Sequence, residues 1–187
     1  MSELQIRFDD GAAYERMMGV WTRFAGQIFL DWLAPAPSLK WVDVGCGNGA
    51  FTELLLERLA PAEIVGSRQR RCRNGAGGQA GRAMGIRSPL PPSFEISRID
   101  ALGALWAGAG LDEIETREIV VSRTFADFED FWTTNLLGAS IEAVVAAIPS
   151  NDVERLKARV RTTMPTDTGG RITYMSRANA LKGRVPM

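Results

Sequence analysis

Histidine is absent from this sequence of 187 residues, and cysteine occurs only twice, at Cys46 and Cys72. The absence of histidine excludes Ser-His-Asp and Cys-His catalysis and every metal site that has a histidine ligand. We therefore predict no metal site. Two cysteines make no disulfide framework, so we expect a cytoplasmic protein.

Long apolar runs and an excess of charge of either sign are also missing. The chain has 22 basic and 22 acidic residues, so it has no overall attraction to nucleic acid or to an anionic membrane. No apolar run approaches membrane-spanning length, and the N-terminus lacks the basic start and apolar core of a signal peptide. With 45% hydrophobic residues, the chain is long enough for one domain with a substantial core.

The most informative stretch runs from Trp41 to Thr52 and reads WVDVGCGNGAFT. Its first four residues form a short apolar run, which predicts a buried strand. Gly45, Gly47 and Gly49 follow, and residues 51–59 have helical spacing. A strand, a glycine-rich turn and a helix begin a nucleotide-binding βα unit, because glycines let the backbone approach a ligand and a helix N-terminus favours negative charge. The spacing differs from that of dinucleotide-binding loops, and no Lys-Ser or Lys-Thr pair follows as in a phosphate-binding P-loop.

The residues D-V-G-C-G-x-G at 43–49 resemble motif I of class I S-adenosylmethionine (SAM) methyltransferases. The resemblance implies that SAM is the cofactor, that the loop passes under its methionine part, and that the acidic residue lies near its ammonium group. Methyl transfer from a sulfonium proceeds largely by positioning, which suits a chain without histidine. A glycine turn in an unrelated α/β protein is the alternative. The resemblance implies cofactor contacts from Asp43, Gly45, Cys46, Gly47, Asn48 and Gly49.

Residues 12–33 carry a second resemblance. Their apolar positions recur at helical spacing with an interruption at Gly19, and core packing is one interpretation. The pattern Y-E-R-x-M-G-x-W-x-R also resembles the N-terminal helix of small-molecule methyltransferases of the ubiquinone-biosynthesis type. In that family a helix in this region closes over SAM, which implies contacts from Tyr14, Met18 and Arg23.

The segment 67–82 reads SRQRRCRNGAGGQAGR, with five arginines and no acidic residue. We expect it to be disordered, because it has too little apolar surface to offset the entropy of ordering. A flexible linker and a basic nucleic-acid-binding arm are two interpretations. A third is translation out of frame. Codons compatible with this segment, read one base later, give PAKGVAEMARVVRPGG, which resembles the helix before the fifth strand of these methyltransferases.

From residue 83 onwards the sequence is again typical of a globular protein. Asn151 and Glu154 resemble a capping box at the start of a helix. The order of the elements resembles the C-terminal end of the methyltransferase family, where an antiparallel strand pair with a helical insertion finishes the sheet. The predicted elements are a helix over 98–109, a strand over 115–125, a short helix within 125–132, a helix over 151–163 and a closing strand over 171–175.

The aromatic residues in 125–132 have two interpretations. The insertion between the last two strands often covers the substrate pocket in this family, which makes Phe128, Phe131 and Trp132 candidates for the pocket wall. Plain core packing is the alternative.

Together these patterns predict an α/β fold. The resemblance implies a Rossmann-like class I methyltransferase sandwich from which central strands are missing. The family's sheet has seven strands, and the space between residues 66 and 82 accommodates neither the third nor the fourth. We divide the chain into residues 1–66, the N-terminal part of a SAM-binding domain, an aberrant segment at 67–82, and residues 83–187, its C-terminal part.

The resemblance implies a SAM-dependent methyltransferase for a small molecule, internally deleted and partly frame-shifted, with impaired activity and no assigned catalytic residue. A non-catalytic remnant that acts as an interaction module is one alternative, and nucleic-acid binding through the arginine segment is another. We expect no membrane association.

Overall fold

A computed structural model of the chain describes residues 12, 15–67 and 94–187, and within these ranges the side chains of residues 94, 139, 140, 143 and 144 lie outside the description. Helices and strands are mixed and include a small parallel sheet, which is compatible with the α/β class. In chain order the elements are a π-helical turn (Glu15–Gly19), α1 (Val20–Leu33), β1 (Lys40–Val44), α2 (Ala50–Leu59), β2 (Glu63–Ser67), a 3-10 turn (Phe94–Ser97), α3 (Ile99–Gly108), β3 (Asp112–Phe125), α4 (Phe128–Leu136), α5 (Ala139–Ala146), α6 (Ser150–Thr163) and β4 (Ile172–Arg184).

The chain separates into two compact units, and the boundary crosses three elements, after Trp21 in α1, after Val121 in β3 and after Met175 in β4. The first unit contains the π-helical turn, the end of β3, α4 to α6 and the beginning of β4. The second unit contains most of α1, together with β1, α2, β2, α3 and the remaining parts of β3 and β4.

In the second unit, β1 and β2 form a parallel pair whose register runs from Lys40 opposite Glu63 to Val44 opposite Ser67. Trp41 and Ile64 pack from this pair against a small core. Gly26 lets α1 approach α2 closely, because a Cβ at this position would lie 2.8 Å from Leu54 Cδ2. The buried members of the core are Leu30, Leu54 and Leu55.

The other face of the parallel pair is exposed. The prediction that the apolar run beginning at Trp41 forms a buried strand is therefore wrong. Val42 is 65% exposed, Val44 is 69% exposed, and Val65, the partner of Val42, is 49% exposed. Parallel strands are normally covered on both faces, but this pair has an exposed apolar face. Among the described strands, β1 pairs with β2 alone. The apolar run therefore indicates a strand, but it does not show whether a second layer covers it.

The first unit has an aromatic core. Phe131 is 1% exposed, and its ring meets that of Phe125 edge to face with centroids 5.3 Å apart. Phe128 and Trp132 are also buried and stack on each other. Core packing, one of the two interpretations of these aromatic residues, is therefore confirmed for Phe128, Phe131 and Trp132. The other buried members of this core are Ile141, Val160, Met164 and Ile172.

The predicted helix over 98–109 and strand over 115–125 are confirmed by α3 and β3. The closing strand is much longer than predicted, because β4 continues from Ile172 to Arg184. Its pairing with β3 is antiparallel, since cross-strand contacts run in opposite directions along the two strands. These contacts are Glu113–Arg184, Glu115–Lys182 and Thr124–Thr173.

The predicted capping box at Asn151 and Glu154 is wrong. Helix α6 begins at Ser150 after Pro149, which occupies the cap position without a side-chain hydrogen bond. Pro149 has an extended backbone (φ −58°, ψ 145°) and is the last residue before the helix. Asn151 is therefore the second helical residue and lies inside the first turn. A side-chain cap is found instead at α4, where Asp127 Oδ1 accepts from Asp130 N at 2.8 Å. None of the helices within 15–67 and 94–187 is long and apolar enough to cross a membrane.

Candidate functional site

The loop between β1 and α2 is built on three glycines with left-handed backbone conformations. Gly45, Gly47 and Gly49 have φ values of 85°, 57° and 99°. Residues with side chains rarely adopt these values. A Cβ on Gly45 or Gly49 would meet no atom within 4 Å, so backbone conformation rather than crowding requires glycine there. The loop therefore has open space beside its backbone, as a cradle for a ligand requires.

The end of β2 anchors the base of this loop. Gly45 N and Cys46 N both donate to Ser67 O, at 2.7 and 3.2 Å, and Gly49 N donates to Cys46 O at 2.8 Å. The carbonyl group of Ser67 thus fixes the point at which the chain leaves β1.

Asp43, next to last in β1, is tied to the following helix. Its Oδ2 accepts a hydrogen bond from Thr52 Oγ1 at 2.6 Å, and both residues are half-buried. Gly66 lies opposite Asp43 in the parallel register. A Cβ on Gly66 would lie 3.0 Å from Cys46 Sγ and 3.9 Å from Thr52 Oγ1, so this glycine leaves room for both side chains.

The N-terminus of α2 completes the site. Gly49 occupies the cap position and provides no side-chain hydrogen bond. The first N–H groups of a helix have no partner within the helix, and they carry the positive end of its dipole. The site thus combines the carboxylate of Asp43, which suits an ammonium group, with backbone N–H groups at the start of α2, which suit a carboxylate. This combination complements the amino-acid end of a ligand.

Asp43 lies near the end of β1, and the loop that follows contains Gly45, Cys46, Gly47, Asn48 and Gly49. Tyr14 lies outside the described residues. Met18 is half-buried in the π-helical turn. Arg23 has carboxylate partners on α2, with Nη2 2.7 Å from Glu57 Oε2 and Nη1 3.5 Å from Glu53 Oε2. This pairing gives Arg23 a role in attaching α1 to α2. The sequence did not identify Thr52 or Gly66 as parts of the site.

No protein-family model matches the chain. Over 57 residues, or 30% of its length, the chain is 42% identical to the trans-aconitate 2-methyltransferases of Acidovorax sp. (strain JS42) and Acidovorax ebreus (strain TPSY). The match spans 22% of the length of each of these relatives. This partial similarity supports a relation to methyltransferases at a coarse level.

Proposed function

We propose that the loop between β1 and α2 binds the methionine end of SAM, and that the chain is an impaired SAM-dependent methyltransferase for a small molecule. The geometry of Gly45, Gly47 and Gly49 at the end of a parallel strand carries the proposal. The partial similarity to methyltransferases also supports it.

In this proposal the residues of the loop bind and orient the cofactor. The Asp43 carboxylate accepts from the ammonium group, and the glycine backbone lets the methionine part approach closely. Cys46 and Asn48 flank this path. Tyr14 is proposed as a further cofactor contact on the resemblance alone, because it lies outside the described residues. When bound, SAM supplies an electrophilic methyl group, so the protein has only to position the acceptor. We assign no residue a catalytic role.

The end of β2 supports the proposed impairment. In the family that the loop resembles, the second strand ends in an acidic residue that accepts from both ribose hydroxyls, whereas β2 ends at Ser67. A serine hydroxyl does not reproduce these two charge-assisted hydrogen bonds, which contribute about 1.5–3 kcal/mol each. Each 1.4 kcal/mol corresponds to about tenfold in affinity, so we expect SAM to bind weakly.

Calorimetric titration of the purified chain with SAM tests this proposal. We expect weak but saturable binding that is lost in Gly47→Val, because a side chain blocks the backbone approach, and in Asp43→Ala, because the acceptor is removed. Gly110→Val is the matched control, since Gly110 also has a left-handed conformation (φ 82°) with no atom near its Cβ position but lies outside the loop. Absence of binding by the parent chain would refute the proposal, as would equal affinity of the Gly47 variant.

Activity is tested separately, with SAM and trans-aconitate, the molecule in the name of the two relatives. We expect little or no methyl transfer, and rapid turnover would contradict the proposed impairment. SAM binding also separates the proposal from an interaction module, and salt-dependent binding of RNA or DNA would favour the nucleic-acid alternative.

A further inference from the structure

Thr52 contacts Asp43 in the candidate site, although it lies outside the D-V-G-C-G-x-G motif at 43–49. It lies in the first turn of α2, nine residues after Asp43, and its hydroxyl donates to Asp43 Oδ2 at 2.6 Å. The hydrogen bond therefore connects the end of β1 directly to the beginning of the helix that follows the glycine loop.

Several other threonine hydroxyls in the described helices bond within their own helix. Thr133 Oγ1 donates to Glu129 O at 2.7 Å, and Thr163 Oγ1 donates to Val160 O at 2.9 Å. Both acceptors are backbone carbonyl groups of the same helix, which is a common hydrogen bond for a helical threonine. Thr52 instead donates to an acidic side chain outside its helix, so its hydrogen bond orients a group of the site.

This contact sets the orientation of the carboxylate group. One oxygen of Asp43 is held by Thr52, which leaves Oδ1 as the atom that accepts from a ligand. Gly66 leaves room beside this contact, because a Cβ there would lie 3.0 Å from Cys46 Sγ and 3.9 Å from Thr52 Oγ1. We infer that Thr52 is a positioning residue, which holds the Asp43 carboxylate so that its second oxygen meets the ammonium group of bound SAM. This inference rests on the proposed function.

The test compares Thr52→Val with Thr52→Ser. Valine keeps the shape of threonine and removes the donor, whereas serine keeps the donor. SAM affinity is measured by NMR from the amide signals of Gly45, Gly47 and Gly49. We expect Thr52→Val to bind SAM about tenfold more weakly, which corresponds to about 1.4 kcal/mol, and Thr52→Ser to stay within about twofold of the parent.

A double variant separates positioning from general damage. If Thr52 acts through Asp43, then Thr52→Val combined with Asp43→Asn should bind no more weakly than Asp43→Asn alone. Thr133→Val, which removes a hydroxyl that bonds within its own helix, should leave the affinity unchanged. If Thr52→Val does not fold, Thr52→Ala carries the same expectation, because alanine removes the donor without placing a methyl group against the carboxylate.

The outcomes distinguish the inference from the proposed function. A parent chain that does not bind SAM overturns the proposed function, and the positioning role falls with it. A parent chain that binds SAM while Thr52→Val binds equally well overturns the inference alone. Equal weakening in Thr52→Val and Thr52→Ser also overturns it, since the hydroxyl would then not be the cause.

Discussion

At the scale of single residues, Asp167 shows how one carboxylate organises a turn before β4. Its Oδ1 accepts from Arg171 N and Gly169 N, both at 2.9 Å, and its Oδ2 accepts from Arg171 Nε at 2.9 Å. The backbone and side-chain hydrogen bonds from Arg171, followed by the bond from Gly169 N, hold the pKa of Asp167 below its usual range. A depressed pKa in the folded state means that the carboxylate stabilises the turn above about pH 4, its ordinary pKa, and that this contribution is lost as pH falls through the folded value.

We therefore predict that the NMR signals of the Gly169 and Arg171 amides shift as the pH is lowered from about 5 to about 2, because the carboxylate loses its charge. In Asp167→Asn the shifts should disappear, and in Asp112→Asn, which changes an exposed acidic residue of β3, they should persist. Shifts that persist in the Asp167 variant would assign the titration to another group.

Some features of the candidate site could be predicted from single residues of the sequence, and others could not. Left-handed conformations at Gly45, Gly47 and Gly49 follow from a glycine spacing that is visible in the sequence. The contacts of Thr52 and Gly66 do not, because each depends on which side chains β1 and β2 bring together. The sequence did contain one indication for Thr52. It is a hydroxyl residue in the first turn of the helix that follows a strand with an acidic residue near its end.

At the scale of elements, helices and strands with clear apolar periodicity were predicted with nearly correct bounds, including α2, α3 and β3. Helix α5 was missed, since its sequence ASIEAVVA has little contrast between a polar and an apolar face. The second half of β4 was also missed. Its side chains form charged pairs with β3, such as Lys182–Glu115, and such pairing leaves no apolar alternation in a single strand.

Capping provides a prediction at this scale. Asp127→Ala should destabilise α4 by about 1 kcal/mol, because it removes the hydrogen bond to Asp130 N that satisfies the first turn. Asn151→Ala should change α6 by no more than about 0.5 kcal/mol, since Asn151 is not a cap and lies exposed. Amide hydrogen exchange in the two helices measures both effects. If Asn151→Ala destabilised its helix as much as Asp127→Ala or more, Asn151 would be a cap after all, in disagreement with the structure.

In the molecule as a whole, the exposed face of β1 and β2 departs from the usual arrangement of parallel strands, which are covered on both faces. Val42 and Val44 are mostly exposed there, as is about half of Val65. Exposed apolar patches promote self-association.

We predict that Val42→Thr with Val44→Thr reduces aggregation and the binding of a hydrophobic dye. Val120→Thr, at an exposed position in β3, is the control and should have a smaller effect. Unchanged aggregation in the double variant would mean that another surface is responsible.

The proposed origin of the chain makes a prediction about its gene. If residues 67–82 are translated out of frame between the parts at 1–66 and 83–187, the coding DNA read one base later must encode a helix close to PAKGVAEMARVVRPGG. Sequencing of codons 67 to 82 measures this directly. Codons without that hidden sequence would remove the frame-shift hypothesis and leave the linker and nucleic-acid interpretations of the arginine segment.

The glycine loop is proposed to bind the methionine end of SAM without the usual contacts to its ribose and adenine. The most direct measurement is an NMR titration of the parent chain with SAM, methionine and adenosine in parallel, followed at the Gly45, Gly47 and Gly49 amides. We predict that SAM and methionine shift the same signals with similar weak affinities, and that adenosine shifts none. SAM affinity that is orders of magnitude above that of methionine, or no shift with either ligand, would contradict the account.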